Sequence, residues 1–129
     1  MVLPQTVVLI DDDPDDHEIF AMAVAEASAS VMCIHFDSAE TALSELIKDS
    51  NNLPDYIFLD MNMPKMNGIQ FLELVKKDET LAQVPVIVYS TSILPSTRVQ
   101  ALNYGAFDFL AKPASHLELI KALKGILTH

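Results

Sequence analysis

Five aspartates lie within six positions near the start of the sequence, directly after an apolar run, in the stretch VVLIDDDPDD (residues 7–16). Carboxylates a few ångströms apart repel each other by roughly 4 kcal/mol per pair at an effective dielectric constant of about 20. A bound cation would offset that repulsion, and oxygen donors of this kind suit a hard divalent ion such as Mg²⁺. The same acids could instead form a solvated surface that aids solubility.

The surrounding sequence alternates between strand-like and helix-like segments. Short apolar runs rich in β-branched residues predict buried strands over 6–10, 31–36, 55–59, 86–89 and 107–111. Between them, apolar residues at helical spacing predict helices over 14–29, from Ser38 to about 50, after the loop MNMPKMNG, over 95–104 and around 119–126. Ile19 is expected on the apolar face of the first of these helices and Ile47 on that of the second. Five such repeats predict an α/β fold, a (βα)5 doubly wound parallel sheet with the flavodoxin-like strand order 2-1-3-4-5.

Polar residues follow the apolar runs at four of the five predicted strand ends. In a parallel sheet these ends meet at one edge, where α/β proteins place their functional site. An aspartate beside a divalent cation can act as a nucleophile toward phosphorus, while a hydroxyl and an ammonium stabilise charge on the transferring oxygens. Each residue alone is an ordinary cap, loop residue or surface charge, but together they predict phosphoryl transfer to an aspartate. The residues at this edge are Asp11, Asp12, Asp60, Ser90, Thr91, Lys112 and Pro113.

Four segments resemble the receiver domain of two-component response regulators, similar to the single-domain chemotaxis receiver: VVLIDDD, DYIFLDMNMPKMNG, PVIVYSTS and GAFDFLAKP. The resemblance covers nearly the whole chain. It implies a signalling switch of a two-component system or phosphorelay that accepts a phosphoryl group with Mg²⁺ and then changes the surface of its fourth helix, fifth strand and fifth helix. It also implies a histidine kinase or histidine phosphotransfer protein as donor, a downstream protein bound in trans, and a monomer or phosphorylation-linked dimer.

The resemblance also assigns roles to individual positions. Asp60 would be the phosphorylated residue. The expected ligands of Mg²⁺ are Asp11, Asp12, Asp60 and the backbone carbonyl of Asn62, with Asp12 the more direct of the acidic pair. The expected phosphoryl-binding and switch residues are Ser90, Thr91, Lys112 and Phe109. The expected structural residues are Pro64, Gly68 and Pro113, the last joined to Lys112 by a cis bond, which proline makes inexpensive.

Three positions depart from the commoner residues of the family. Ser90 stands where threonine is more frequent, and the loss of the β-branch loosens χ1. Phe109 lacks the hydroxyl of tyrosine, so it can signal by burial but cannot donate a hydrogen bond. Thr91 is bulkier than the usual small residue. Its size predicts narrower access to the phosphoryl group and slower autodephosphorylation than with alanine at this position.

Several polar residues are assigned no functional role. Asp13 is predicted to cap the helix that Pro14 begins, and Asp15 and Asp16 lie in its first turn, where the helix dipole stabilises acids. The histidines show no metal-ligand spacing and are interpreted as structural or solvated. They are His17, His35, His116 and His129.

The length of 129 residues suits a single compact unit. With the resemblance, it predicts one receiver domain over residues 1–129 with no output domain. The first 64 residues carry a net charge of −12 and the remainder +2, so neither half offers the basic face that direct nucleic-acid binding needs. No apolar run approaches the roughly 20 residues of a membrane span. The lone Cys33 is interpreted as a small core residue and suits a reducing compartment, so a cytoplasmic protein is expected.

Two other functions fit the same fold. An aspartate-based phosphotransferase or phosphatase of the haloacid dehalogenase type would carry a second aspartate two residues after the nucleophile, where this chain has Asn62. A nucleotide-binding module would carry a hydroxyl- or glycine-rich first turn, where this chain has DDDPDD. The signalling switch is therefore favoured, and turnover of outside substrates is not expected.

Overall fold

Five parallel strands form a single sheet. The computed structural model describes residues 5–49, 51–61, 63, 65–91 and 94–127. The strands are β1 (Gln5–Ile10), β2 (Val31–Phe36), β3 (Tyr56–Leu59), β4 (Val86–Ser90) and β5 (Asp108–Ala111). All neighbouring strands are parallel and their order is β2-β1-β3-β4-β5, which confirms the predicted doubly wound sheet.

A helix follows each strand. These helices are α1 (Pro14–Ala27), α2 (Ala39–Lys48), α3 (Gly68–Lys77), α4 (Pro95–Asn103) and α5 (His116–Leu127), with a 3₁₀ turn at Leu81–Gln83 after α3. The predicted cap of α1 is confirmed, because the Asp13 side chain accepts the N–H of Asp15. Among the described residues, no helix has both the length and the apolar character needed to cross a bilayer.

A hydrophobic layer covers each face of the sheet. One face packs against α1 and α5, with Phe20 and Phe58 fully buried, and the other packs against α2, α3 and α4, with Phe71 fully buried. The last four residues of β1, Val7 to Ile10, are at most 1% exposed. Each such side chain contributes roughly 1.5–3 kcal/mol by burial. The end of β1 is therefore firmly held, and with it the first acids of the site.

Some boundaries differ from the prediction. α1 ends at Ala27 rather than near residue 29, because Ser28 adopts an extended backbone after its N–H bonds to Val24. β3 begins at Tyr56 rather than at Asp55, whose carboxylate instead accepts the N–H of Thr6 at 2.7 Å. β5 begins at residue 108 rather than 107. These shifts of one or two residues leave the order of elements unchanged.

Two side chains predicted to face inward are exposed. Helical spacing placed Ile19 and Ile47 on the buried faces of α1 and α2, but both are 46% exposed. Helical spacing shows on which side of a helix a residue lies, but not how much of its side chain the fold covers. Cys33, predicted to be a core residue, is half-buried against the layer under α1 and α5. Burial raises the pKa of its thiol to about 12.

Candidate functional site

Three carboxylates meet at the carboxyl edge of two neighbouring strands. Asp11 and Asp12 follow β1, and Asp60 follows β3, which pairs with β1. One oxygen from each of these acids lies within 4.8 Å of the others. Asp11 is fully buried and Asp60 is 8% exposed, whereas Asp12 is open to solvent. The three acids predicted from the strand ends therefore form one cluster at the switch in strand order.

Asp11 is held by bonds to both of its oxygens. Its Oδ1 accepts a hydrogen bond from the N–H of Asp13 at 3.0 Å, and its Oδ2 accepts one from the Lys112 ammonium at 2.8 Å. Burial raises the pKa of the Asp11 carboxyl above its ordinary value, and the bonds to Lys112 and Asp13 offset only part of that effect. The anionic form of Asp11 is therefore costly unless a cation lies nearby.

Lys112 supplies a cation to the cluster. Its Nζ lies 2.8 Å from Asp11 Oδ2 and 3.5 Å from Asp60 Oδ2. A third acid, Asp16, lies closer still at 2.6 Å. Burial alone would lower the pKa of the Lys112 ammonium, but the hydrogen bonds to Asp11 and Asp16 outweigh it and raise the pKa. Lys112 therefore stays positively charged at neutral pH.

Ser90, at the end of β4, is hydrogen-bonded to the two residues that follow β3. Its hydroxyl donates to Oδ1 of Asp60 at 3.2 Å and accepts the backbone N–H of Met61 at 3.2 Å. Ser90 is only 1% exposed. A hydroxyl and a backbone N–H therefore lie beside the Asp60 carboxylate, where oxygens of a transferred group would carry charge.

Gly68 allows the start of α3 to pack directly on the loop after Asp60. A Cβ atom at position 68 would lie 2.2 Å from Met61 Sδ and 3.0 Å from Met61 Cα. The helix start is fixed by Asn67 and Gln70, whose side chains bond each other's backbone N–H groups. The predicted structural role of Gly68 thus has a steric reason. Pro64 and Asn62, the other residues predicted in this loop, lie outside the described residues.

Two further predicted residues lie on or just after the neighbouring strands β4 and β5. Thr91 is exposed immediately after β4. Phe109 is half-buried on β5 against the layer formed with α4, and the guanidinium carbon of Arg98 lies 4.7 Å from the centre of its ring. A contact of this kind between a cation and an aromatic ring links β5 to α4.

The cis bond expected between Lys112 and Pro113 is not observed. Every peptide bond among the described residues is trans, including this one. The trans form is favoured by about 0.5–1 kcal/mol even before proline, so an X–Pro sequence alone does not specify cis. Lys112 reaches Asp11 with the bond in the trans form.

Two residues to which the sequence assigned no chemistry contact the site. Asp16 forms the shortest ion pair of Lys112. His17 donates from Nε2 to the backbone carbonyl of Asp11, and its ring stacks on His35 with centroids 4.8 Å apart. Only their position in the sequence could have indicated a place near the site, because both residues lie in the first turns of α1, which begins close to the end of β1. The charge pattern alone did not show which side each residue faces.

The donor set fits a divalent cation. All three clustered acids offer carboxylate oxygens, the donors that Mg²⁺ and Mn²⁺ accept in proteins. Lys112 offsets only part of their negative charge. Within the part of the chain that the structure describes, this cluster contains no histidine or cysteine, which argues against a site built for zinc.

The chain is similar to known proteins over nearly its whole length. The phosphate regulon transcriptional regulatory protein PhoB of Pseudomonas aeruginosa is 28% identical over 123 residues, which cover 95% of this chain and 52% of that protein. The chain therefore spans about half the length of this relative.

Two solved structures have closely similar folds. The phosphorylated cyanobacterial phytochrome response regulator RcpA has a TM-score of 0.85 and 27% identity, with 95% of this chain and 91% of that chain covered. The Mn²⁺-bound form of the response regulator Rcp1 has a TM-score of 0.81 and 25% identity, with 97% of this chain and 93% of that chain covered.

The sequence profile of the response regulator receiver domain matches residues 7–124. Receiver domains are signalling domains that interact with histidine kinases or phosphotransfer proteins and with downstream targets. Nothing in these comparisons supports the haloacid dehalogenase alternative. Since the profile covers most of the chain and the acidic pocket lies at the expected sheet edge, the protein belongs to the receiver domain family of two-component response regulators.

Proposed function

We propose that Asp60 accepts a phosphoryl group from the phosphohistidine of a histidine kinase or histidine phosphotransfer protein. The proposed Mg²⁺ ligands are Asp11, Asp12, Asp60 and the backbone carbonyl of Asn62. The observation that carries the proposal is the convergence of two further carboxylates and one ammonium on Asp60. The similar RcpA and Rcp1 structures, one phosphorylated and one Mn²⁺-bound, support both parts of it.

The proposed transfer is a displacement at phosphorus. An oxygen of Asp60 attacks the phosphorus atom, and a new O–P bond forms while the P–N bond to the donor imidazole breaks and its nitrogen keeps the electron pair. Lys112, the hydroxyl of Ser90 and the N–H of Met61 stand beside Asp60 to stabilise charge on the phosphoryl oxygens. When bound, Mg²⁺ would supply further positive charge.

Water then breaks the O–P bond and releases inorganic phosphate and the free carboxylate. In this scheme the chain catalyses only its own phosphorylation and dephosphorylation. Outside substrates are not turned over, so the protein is a switch rather than an enzyme in the ordinary sense.

Phosphorylation is proposed to change the α4-β5-α5 surface. Ser90 would leave Asp60 to contact the phosphoryl group, and β4 would transmit the change to β5, where Val88 pairs with Phe109. Phe109 would then alter its packing under Arg98 on α4. Exposed apolar side chains on this surface support a role in binding a partner. They are Val99, Leu102, Phe107 and Leu117, each more than half exposed.

The proposed output is a downstream protein bound in trans by this receiver domain, as a monomer or as a phosphorylation-linked dimer. The excess of acidic residues among the first 64, with a net charge of −12, supports a protein partner over direct contact with nucleic acid. A cytoplasmic location belongs to the same proposal, and the lone Cys33 suits a reducing compartment.

Mass spectrometry after incubation with acetyl phosphate and Mg²⁺ tests the proposal. The protein should gain one base-labile phosphoryl group, the gain should be lost in Asp60→Asn, and it should persist in Asp37→Asn, which removes an exposed acid. A modification that remains in Asp60→Asn would refute the assignment. Release of phosphate from p-nitrophenyl phosphate over many turnovers would instead favour the phosphatase alternative.

A further inference from the structure

Lys112 is shared between the candidate site and an acid that lies outside it. The Nζ atom is 2.6 Å from Asp16 Oδ2 but 3.5 Å from Asp60 Oδ2. Asp16 does not belong to the group of carboxylates that could hold a metal ion, which consists of Asp11, Asp12 and Asp60. The cation needed beside the phosphoacceptor therefore has its shortest contact with a residue that no step of the proposed transfer uses.

The fold explains why Asp16 reaches Lys112. Asp16 lies in the first turn of α1, Lys112 follows β5 just before α5, and α1 and α5 pack on the same face of the sheet. The two residues line a cavity of about 310 Å³ together with Tyr89 and Leu119. The Asp16 side chain is 23% exposed and that of Lys112 is 11% exposed. An ion pair this well shielded is screened less by solvent and salt than a pair on the open surface.

Resting on the phosphorylation proposed above, we infer that Asp16 is a positioning residue that holds the Lys112 ammonium back from Asp60. The acidic cluster of Asp11, Asp12 and Asp60 would bind Mg²⁺ and carry the phosphoryl group, and Lys112 already contacts two of its carboxylates. With Asp16 present, the ammonium is divided between Asp16 and Asp11, which leaves the Asp60 oxygens more accessible to a cation. To contact a phosphoryl group on Asp60, Lys112 must then give up part of its bond with Asp16.

This arrangement predicts two effects of opposite sign when the Asp16 charge is removed. Lys112 would move fully onto Asp11 and Asp60, so it would compete more strongly with Mg²⁺ and lower the affinity for the metal. The same ammonium would no longer be drawn away from a phosphoryl group, so the affinity for a phosphoryl analogue would rise. A residue that merely stabilised the fold would change both affinities in the same direction.

The experiment compares Asp16→Asn with Asp15→Asn. Asp15 is an exposed acid in the same helical turn, so the control removes the same charge. Calorimetric titration with MgCl₂ should show a Kd that is three- to tenfold higher for Asp16→Asn than for the control. Titration with beryllofluoride at saturating Mg²⁺, followed by ¹⁹F NMR, should show three- to tenfold tighter binding. Asp16→Ala, a second neutral variant, should give the same pair of shifts.

Each outcome decides the inference. Affinities equal to those of Asp15→Asn in both titrations would overturn it, as would weaker binding of both Mg²⁺ and beryllofluoride, which would mean that Asp16 directs Lys112 toward the site. Failure of the wild-type protein to gain a phosphoryl group would count against the proposed function alone. The MgCl₂ titration does not depend on phosphorylation, so it would still show whether Asp16 withholds Lys112.

Discussion

Ser90 donates its hydroxyl hydrogen to Oδ1 of Asp60 at 3.2 Å, so a side-chain hydrogen bond joins the end of β4 to the residue that follows β3. The same hydroxyl accepts the N–H of Met61 at 3.2 Å, and Ser90 is almost completely buried. The unphosphorylated site thus already holds its hydroxyl donor against the acceptor. Any movement of Ser90 toward a phosphoryl group must break or redirect this pair of bonds.

Replacing Ser90 with alanine should lower both stability and the rate of phosphorylation. The buried N–H of Met61 would lose its acceptor, which costs about 1–3 kcal/mol of unfolding free energy. Loss of one donor beside Asp60 should slow phosphorylation by acetyl phosphate by roughly tenfold, equivalent to about 1.4 kcal/mol in the barrier. Urea denaturation and the rate of mass gain measure the two effects. Ser90→Thr, which keeps the hydroxyl, is the control, and an alanine variant that matched it in both measurements would contradict the prediction.

Replacing Lys112 with methionine should destabilise the metal-free protein and strengthen Mg²⁺ binding. Asp11 is fully buried, so removing its cation costs about 3 kcal/mol, as for other buried ion pairs that lose one partner. Because Lys112 and Mg²⁺ compete for the same carboxylates, the Kd for Mg²⁺ should fall roughly tenfold, about 1.4 kcal/mol. Denaturation in EDTA and calorimetric titration measure these effects, with Lys121→Met on the exposed side of α5 as the control.

The difference in unfolding free energy between wild type and Lys112→Met should depend on pH with a defined sign. The pKa of Lys112 is raised in the folded protein, where the bonds to Asp11 and Asp16 outweigh burial. The ion pairs therefore contribute their full stability below the ordinary lysine pKa of about 10.5 and lose it only as pH rises above that value. A stability difference between wild type and Lys112→Met that vanished near pH 8 would contradict this assignment.

The sheet and most of the site follow from the sequence because their signals are local. Apolar runs mark the strands, and parallel strands bring their following residues to one edge, which is enough to gather Asp11, Asp60 and Ser90. The role of Asp16 could not be read in the same way. It depends on how α1 and α5 pack on one face, which decides which acid of the first turn reaches Lys112.

The isomer of the peptide bond before Pro113 could not be predicted from the sequence either. A resemblance to a family suggested cis, whereas the structure has trans, and the small energy difference between the forms leaves the choice to tertiary contacts. Helical periodicity likewise predicted that Ile19 faces inward, whereas nearly half of it is exposed. Periodicity shows on which side of a helix a residue lies, but not how much of its side chain the rest of the fold covers.

Replacing Gly68 with alanine should disturb the loop after the phosphoacceptor. The added methyl group would collide with Met61, whose Cα would be only 3.0 Å away, so α3 or the loop must shift. Overpacking of this kind costs about 1–3 kcal/mol, and it should slow phosphorylation because Met61 follows Asp60 directly. Denaturation and phosphorylation rates measure the two effects.

Gly125→Ala is the matched control for that substitution. Among the described residues, apart from its chain neighbours and the nearby backbone of its own helix, no heavy atom lies within 4 Å of a Cβ at position 125, which is within α5. Alanine there should raise stability by about 0.5–1 kcal/mol, because glycine is a poor helix former, and leave phosphorylation unchanged. Equal effects of the two substitutions would show that the Met61 contact is not what requires Gly68.

Replacing Thr91 with alanine should shorten the life of the aspartyl phosphate. Thr91 is exposed immediately after Ser90, so its side chain can narrow the path of water to the acceptor without supporting the core. We expect hydrolysis three- to tenfold faster in the variant, a change of about 0.7–1.4 kcal/mol in the barrier, with stability unchanged. The decay of phosphorylated protein after removal of acetyl phosphate measures it. Thr91→Val, which keeps the bulk, should match wild type, and an alanine variant with an equal or longer lifetime would disprove the idea.

Cys33 should be nearly unreactive at ordinary pH. Burial against the layer under α1 and α5 raises the pKa of its thiol to about 12, so roughly one molecule in ten thousand carries the reactive thiolate at pH 8. Alkylation by iodoacetamide at pH 8 should therefore be roughly a thousandfold slower in the native protein than after unfolding in guanidinium. Since the folded pKa lies above the unfolded value, the neutral thiol contributes stability below about pH 9 that is lost as pH rises toward 12. Cys33→Ala should lose this alkaline component when unfolding is followed from pH 8 to pH 11. Rapid alkylation of the native protein at pH 8 would show instead that the β2 edge opens to solvent around Cys33.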